Sequence, residues 1–362
     1  MTFPSETARA WVDVDLGALV ANARTLAQAC GTRLLPMVKA NGYGLGAAQV
    51  ARALEPLDPW GFGVATVEEG AALRASGVSR PILVASPLTP QSLGPVLENG
   101  FRPAIGDPVM LRDWISRSGH PFHLEIDTGM ARAGIRWDDD AALRTAAGVL
   151  GSAPGWEGVF THFHSADSDP ESVTTQWRRF QSVLAALPRR PLLTHAANSA
   201  AALCGHEYAG DVARPGIFLY GGRAGHAAPT PGTVAALRAR VLAVREVAAG
   251  ETVSYGATWR ASRRTTVATL GIGYADGFPR AAEREAGGPP RLVELRGRPV
   301  PLVGRVTMDM CMVAVDDDQV GVGDVATIFG GVVSLDDQAR ASGTISYELL
   351  TALGSRVPRY YR

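Results

Sequence analysis

Cysteine is scarce in this chain: Cys30, Cys204 and Cys311 are the only three among 362 residues. Thiols so far apart in sequence make neither a disulfide framework nor a Cys-rich zinc site. Each is expected to be a small buried hydrophobe. An excess of one charge is lacking too. Lys plus Arg number 35 and Asp plus Glu number 35, so nothing in the balance suits a nucleic-acid or polyanion partner. No apolar run approaches the length of a membrane span. Residues 1–9 are polar, without the apolar centre of a secretory leader, and the expected compartment is the cytoplasm. Low-complexity segments and short-period repeats are absent. What is present is apolar bulk. At 46% hydrophobic residues the chain can bury a large core, and its length suggests two domains.

The stretch from Leu34 to Gly44 organises the rest. Its apolar start reads as a buried strand, and Gly42 and Gly44 stop it. One lysine, Lys39, stands at the strand's end. An ammonium is costly to desolvate, so a snorkelling surface lysine is the plain structural reading. The chemical reading is an amine of depressed pKa, able to form an imine or take a proton.

Before this stretch, Trp11 to Asp15 alternates like a half-exposed strand. Asp15 is then placed to cap a helix with the apolar stripe Leu16, Leu19, Val20, Ala23, Leu26, Ala27 and Cys30. After it, apolar runs at 61–65, 82–85, 102–105, 122–127, 159–163, 192–196 and 212–217 alternate with helical patterns such as 66–76 and 172–187. With residues 34–39 these make eight candidate parallel strands. Such units read as an α/β chain with an N-terminal (β/α)8 TIM-like barrel; a doubly wound sheet has the same spacing. From Ala235 on the pattern changes. Short β-rich runs at 239–247, 265–272, 292–295, 300–306, 311–315 and 324–328 are separated by Gly and Pro turns, which reads as a mainly antiparallel β domain. The segment 226–232 looks like the connector, so the expected domains are 1–230 and 231–362.

In a barrel, chemistry gathers at the C-terminal ends of the strands. That places Lys39, Asn41 and Tyr43 after the first strand, and Asp127, Thr128 and Arg132 after the fifth. His162 and His164 follow the sixth, His195, Asn198 and Ser199 the seventh, and Arg214, Gly216 and Ile217 the eighth. The last two loops of a barrel often bind phosphate through backbone amides, and a hydroxyl and a glycine stand there. A phosphate site with a strand-end lysine points to pyridoxal phosphate, whose aldehyde needs an amine. His162-Phe163-His164 could instead ligate a divalent metal, but no further ligand spacing supports it, and no metal is expected. For Arg214 the plain reading is an ion pair with Asp211.

Motifs along nearly the whole chain, in order, resemble alanine racemase, a pyridoxal-phosphate family of fold type III. They are Val38-Lys39-Ala40-Asn41-Gly42-Tyr43-Gly44, Asp127-Thr128-Gly129-Met130-Ala131-Arg132, Thr161-His162-Phe163, Ala197-Asn198-Ser199-Ala200 and Arg214-Pro215-Gly216-Ile217. In the second half come Val253-Ser254-Tyr255-Gly256-Ala257-Thr258, Gly271-Ile272-Gly273-Tyr274-Ala275-Asp276-Gly277 and Gly304-Arg305-Val306-Thr307-Met308-Asp309. The resemblance implies that Lys39 holds the cofactor as an imine and is one acid/base, with Tyr255 the other. It implies that Arg132 reaches the cofactor's phenolic oxygen and the substrate carboxylate, and that Arg214, oriented by His162, faces the pyridine nitrogen. Tyr43, Ser199, Gly216 and Ile217, with Asn198 beside them, would bind the phosphate. Met308, Tyr274 and Asp309 would serve the substrate. The family works as a homodimer, so Tyr255, Tyr274 and Met308 are expected to cross from the partner subunit. The implied role is interconversion of L- and D-alanine, supplying D-alanine for peptidoglycan.

Two positions depart from the family's pattern. Glu125 stands where many members carry a carbamylated lysine that holds the barrel arginine. Ser355 stands where some have a tyrosine beside the phosphate. Competing readings are a racemase of broader specificity (serine or lysine), a fold-type-III decarboxylase, and a non-catalytic cofactor carrier. Decarboxylases of this type place a carboxylate at the ring nitrogen, which Arg214 argues against.

Overall fold

The computed structural model describes residues 5, 7–225, 228–280, 291–315 and 319–362. Eight parallel strands form a closed barrel: Arg33–Leu34, Phe62–Val64, Ile82–Pro87, Arg102–Ile105, Phe122–Asp127, Trp156–Phe160, Leu193–His195 and Val212–Ala213. The six middle strands pair in chain order, and the last pairs with the first through Val212↔Arg33 and Ala213↔Leu34. Two seams are closed by backbone bonds outside the regular ladders. Val38 N donates to Gly63 O at 2.8 Å across one, and Asp211 N to Thr194 O at 2.7 Å across the other. The doubly wound alternative is thereby excluded, since an open sheet has two free edges.

The helix after the first chain segment forms for the reasons its sequence suggests. Asp15 accepts from Ala18 N at 2.8 Å as N-cap of Leu16–Cys30, and Gly31, at φ 66°, ends it. Its buried face is Leu19, Ala23, Leu26 and Cys30, joined by Asn22, whose amide grips the backbone of Gly232.

The second unit is a mainly antiparallel sheet built on one long strand, Ala235–Val247. Thr265–Leu270, Val325–Phe329 and Ala10–Val14 all pair antiparallel with it. Ala10–Val14 also pairs in parallel with Arg359–Tyr361, so this sheet takes residues from both ends of the chain. The half-exposed strand expected at Trp11 to Asp15 is corrected: Trp11, Val12 and Val14 are all buried, the indole lying beneath the Arg240 guanidinium at 5.1 Å. The strand expected at 300–306 is instead Arg298–Pro301. Arg296 and Gly297, both at positive φ, close a two-residue hairpin that sets its register against Leu292–Leu295. Of the cysteines, Cys30 and Cys311 are buried, but Cys204 is exposed, because it caps the short helix Ser199–Leu203 at the surface. His226 and Ala227 of the expected connector lie outside the described residues.

Candidate active site

Lys39 is presented by an unusual turn. Ala40, Asn41, Gly42, Tyr43 and Gly44 all have positive φ, between 51° and 80°, and form a left-handed turn after the barrel strand. A non-glycine residue there costs roughly 1–2 kcal/mol, so the turn is held by its surroundings. Asn41 Oδ1 accepts from Ala47 N at 3.0 Å, and Glu69 accepts from Ala40 N at 2.7 Å and Ala65 N at 2.8 Å. The strain turns both Lys39 and Tyr43 toward the barrel mouth.

There they line a cavity of about 410 Å³ together with Glu125, Arg132, His162, Asn198, Ser199, Arg214, Gly216 and Ile217. Nine expected site residues thus share one cavity at the C-terminal ends of the strands. Burial, with Arg132 nearby, lowers the Lys39 pKa, and Glu69 offsets part of that. Arg214 is fully buried and donates to four partners. Nη1 meets His195 Nδ1 at 2.6 Å, and Nη2 meets Thr161 O at 2.7 Å, Ala196 O at 3.2 Å and His162 Nδ1 at 3.4 Å. Burial brings its pKa to about 10, which leaves it charged at neutral pH. Asp211 is not its partner, being bound to the Thr194 amide and hydroxyl at 2.7 Å. His162 is depressed to about 3, first by burial and then by Arg214, and is neutral.

Ser199 Oγ accepts from Gly216 N at 2.8 Å and from Phe218 N at 3.4 Å. A hydroxyl that accepts twice keeps its own proton for a ligand. Gly216 lets the backbone approach, because a Cβ there would overlap the Tyr43 hydroxyl. Tyr43 is stacked on Tyr220, 4.4 Å between centroids, and Tyr220 Oη is tied to Met37 O at 2.8 Å. Asn198 caps the following turn by accepting from Ala201 N at 3.1 Å. A hydroxyl, a glycine and a tyrosine packed against one another, with a buried cation and an amine lining the same cavity, fit pyridoxal phosphate.

Other candidates have structural work. Asp127 holds its turn through the amides of Gly129 and Ala131, and Thr128 Oγ1 meets Thr161 Oγ1 at 2.7 Å. His164 bonds Ser165 at 2.7 Å and takes no part in the cavity. Ser355 does not line it either, whereas Tyr347 and Thr351 from the helix Ser346–Thr351 do. No sequence signal marked those two. Glu125 is buried and its Oε2 has no partner among the described residues; burial pushes its pKa up to about 7.

Tyr255, Tyr274, Met308 and Asp309 are not in the cavity. They sit on one face of the second unit, where Tyr255 is 72% exposed and Met308 53%. Their loops interlock: Ser254 Oγ donates to Arg305 O at 2.8 Å, Tyr274 N to Thr307 O and Ala275 N to Met308 O, both at 3.0 Å. Asp309 is bound to Arg356 at 2.8 Å and to Arg9 at 3.5 Å.

Comparison with known proteins agrees with this geometry. Residues 14–224 match the family model of the alanine racemase N-terminal domain, and residues 234–361 that of its C-terminal domain. An alanine racemase of Deinococcus radiodurans is 42% identical over 97% of this chain and 98% of its own. The crystal structure of the biosynthetic alanine racemase of Pseudomonas aeruginosa, 34% identical, superposes at a TM-score of 0.88 over 98% of this chain and 100% of that one. That of Bartonella henselae, solved with covalently bound pyridoxal phosphate, is 31% identical with a TM-score of 0.88, again over 98% and 100%. With both halves of the molecule matched in order, this chain belongs to the alanine racemase family.

Proposed function

We propose that the chain is a pyridoxal-phosphate-dependent alanine racemase working in the cytoplasm as a homodimer with two shared sites. Residues 1–230 hold the cofactor and residues 231–362 lend a base to the other subunit. The observation that carries this reading is that a buried, donor-only Arg214 and the amine of Lys39 line one cavity. Tyr43, Ser199, Gly216 and Ile217 would hold the phosphate, with Asn198 shaping their turn. Arg214, steadied by His162, would face the ring nitrogen. Arg132 would meet the phenolic oxygen and the substrate carboxylate, with the partner's Met308, the partner's Tyr274 and Asp309 enclosing the substrate. When bound, the cofactor supplies an aldehyde that captures an amine and a ring that withdraws electrons from Cα.

The protein's part is the handling of one proton. Lys39 Nζ takes or returns it on one face of Cα, and the phenol of the partner subunit's Tyr255 does so on the other, so neither base has to swing around the substrate. The lowered pKa of Lys39 favours the free amine it needs. Arg214 has no acceptor and stays protonated, so it would leave the ring nitrogen of a bound cofactor without a proton. Such a ring would withdraw electrons only weakly, which would favour prompt return of the proton by Lys39 or Tyr255. Tyr255 is exposed in the single chain, which supports its service to another subunit. The product D-alanine would serve peptidoglycan synthesis.

The test is incubation of the reconstituted protein with L-alanine and detection of D-alanine. Enantiomers have equal free energies, so the mixture should reach equal parts. Serine and lysine run in parallel report specificity, and carbon dioxide release reports decarboxylation. Failure to form D-alanine overturns the reading.

A further inference from the structure

A line of hydrogen bonds runs down the barrel beneath the cavity. Arg214 Nη1 meets His195 Nδ1 at 2.6 Å, His195 Nε2 meets His123 Nδ1 at 2.7 Å, and His123 Nε2 meets Glu157 Oε2 at 3.2 Å. Arg102 Nε pairs with the same carboxylate oxygen at 3.2 Å. Arg214, His195 and His123 are buried. Glu157 and Arg102 lie at the starts of Trp156–Phe160 and Arg102–Ile105, at the end of the barrel away from Lys39. The packing makes room for the line. A Cβ on Gly158 would stand 2.8 Å from His123 Nδ1, and Phe160 stacks on His195 with centroids 4.9 Å apart.

The proton positions follow from the donors available. A guanidinium only donates, so His195 Nδ1 accepts. His195 Nε2 then carries its proton and donates to His123 Nδ1. His123 Nε2 carries the next and donates to the carboxylate of Glu157. All three bonds point the same way, from the cofactor side toward the barrel floor. A second proton on either imidazole would set two N–H groups against each other. Burial, the largest influence on both rings, lowers their pKa in the same sense.

We infer that Glu157 is a positioning residue for Arg214, acting through His123 and His195 from the far end of the barrel. The carboxylate ends the line as an acceptor, fixes both tautomers and so keeps a bare nitrogen facing Arg214. A metal-free chain of this kind does for a cofactor-facing arginine what an outer carboxylate does for a metal-bound histidine. The inference rests on the place given to Arg214 in the proposed function; its tautomer arm does not.

The holoenzyme tests it with Glu157→Ala and Glu157→Gln, each alone and with His195→Leu, which breaks the line. Glu157→Ala should lower kcat for L-alanine roughly three- to tenfold, the worth of about one hydrogen bond, with KM within about twofold. It should also change the visible circular dichroism of the bound cofactor. Glu157→Gln, whose amide oxygen still accepts from His123, should stay within about twofold of wild type. With His195→Leu present, Glu157→Ala should change neither kcat nor spectrum. Unchanged kcat and spectrum in the wild-type background, or equal losses in both backgrounds, would overturn the inference. Should the variants not fold, ¹⁵N-labelled histidine in the wild-type apoprotein decides. His123 and His195 should be neutral Nε2–H tautomers from about pH 5 to 8. An Nδ1–H tautomer or an imidazolium at either position would overturn the relay whatever the reaction catalysed.

Discussion

Gly216 approaches Tyr43 so closely that a side chain on it would overlap the tyrosine hydroxyl, although the two residues lie on opposite sides of the barrel closure. The contact joins the first strand's turn to the last strand's loop, next to Ser199. Gly216→Ala should push Tyr43 off its stack on Tyr220. Overpacking of this kind costs about 1–3 kcal/mol. The apparent Kd for pyridoxal phosphate, read from quenching of protein fluorescence, should rise about tenfold or more. An unchanged Kd would mean that Tyr43 does not bound the phosphate site.

Glu125 gives a pH prediction. Burial raises its pKa from 4.5 to about 7 in the folded chain, against the opposing pull of Arg132 and Arg214. A carboxyl group with a raised folded pKa holds more protons folded than unfolded between those two values. Its contribution is therefore fully present below about pH 4.5 and is lost as pH rises through about 7, to the extent of ~3 kcal/mol. Urea unfolding of the apoprotein at several pH values should show wild type losing stability relative to Glu125→Gln over that window. Parallel curves would mean that Glu125 titrates normally. Above about pH 7 in the holoenzyme, the same substitution removes a negative charge near Arg132 and should weaken alanine binding.

Asp276 is 2% exposed and takes both Arg9 and Arg356, at 3.1 and 2.8 Å, while capping Gly273 N at 3.0 Å. It ties the Tyr274 turn to both chain ends. Asp276→Ala should cost about 2–3 kcal/mol in unfolding free energy. Arg9→Ala or Arg356→Ala should each cost less, because the other cation remains and both are partly solvated. Urea midpoints order the three. If all three are equal, the network is a surface ion pair and not the anchor of the loop.

The barrel could be read from the sequence because its strands are buried on both faces and stand out as apolar runs; 82–85 became Ile82–Pro87, and 122–127 was found in place. Lys39 was legible because an ammonium just past a buried apolar run, where the structure leaves it half-buried, has few other uses. The burial of Trp11 was not legible, since the guanidinium over its indole belongs to Arg240, on a strand more than two hundred residues further along the chain. Nothing in the sequence joined His123 to Glu157: His123 sits inside the apolar run 122–127, but Glu157 precedes the run at 159–163, because the strand is Trp156–Phe160, and their pairing depends on strand register. Tyr347 escaped for a similar reason: an ordinary helical tyrosine becomes a cavity wall only when its helix folds back over the barrel mouth.

The most direct test of the account is whether each active site draws on two chains. Lys39 lines the barrel cavity, and Tyr255 stands exposed on the second unit. Lys39→Ala and Tyr255→Phe should each be nearly inactive. The two variants are unfolded, mixed in equal amounts and refolded. Random assembly makes about half of the dimers mixed, and one of the two sites in each mixed dimer takes Lys39 from one chain and Tyr255 from the other. Activity should recover to about a quarter of wild type per site. If mixed dimers are present, as shown by differently tagged chains, and activity does not return, Tyr255 serves its own barrel and the shared site is contradicted.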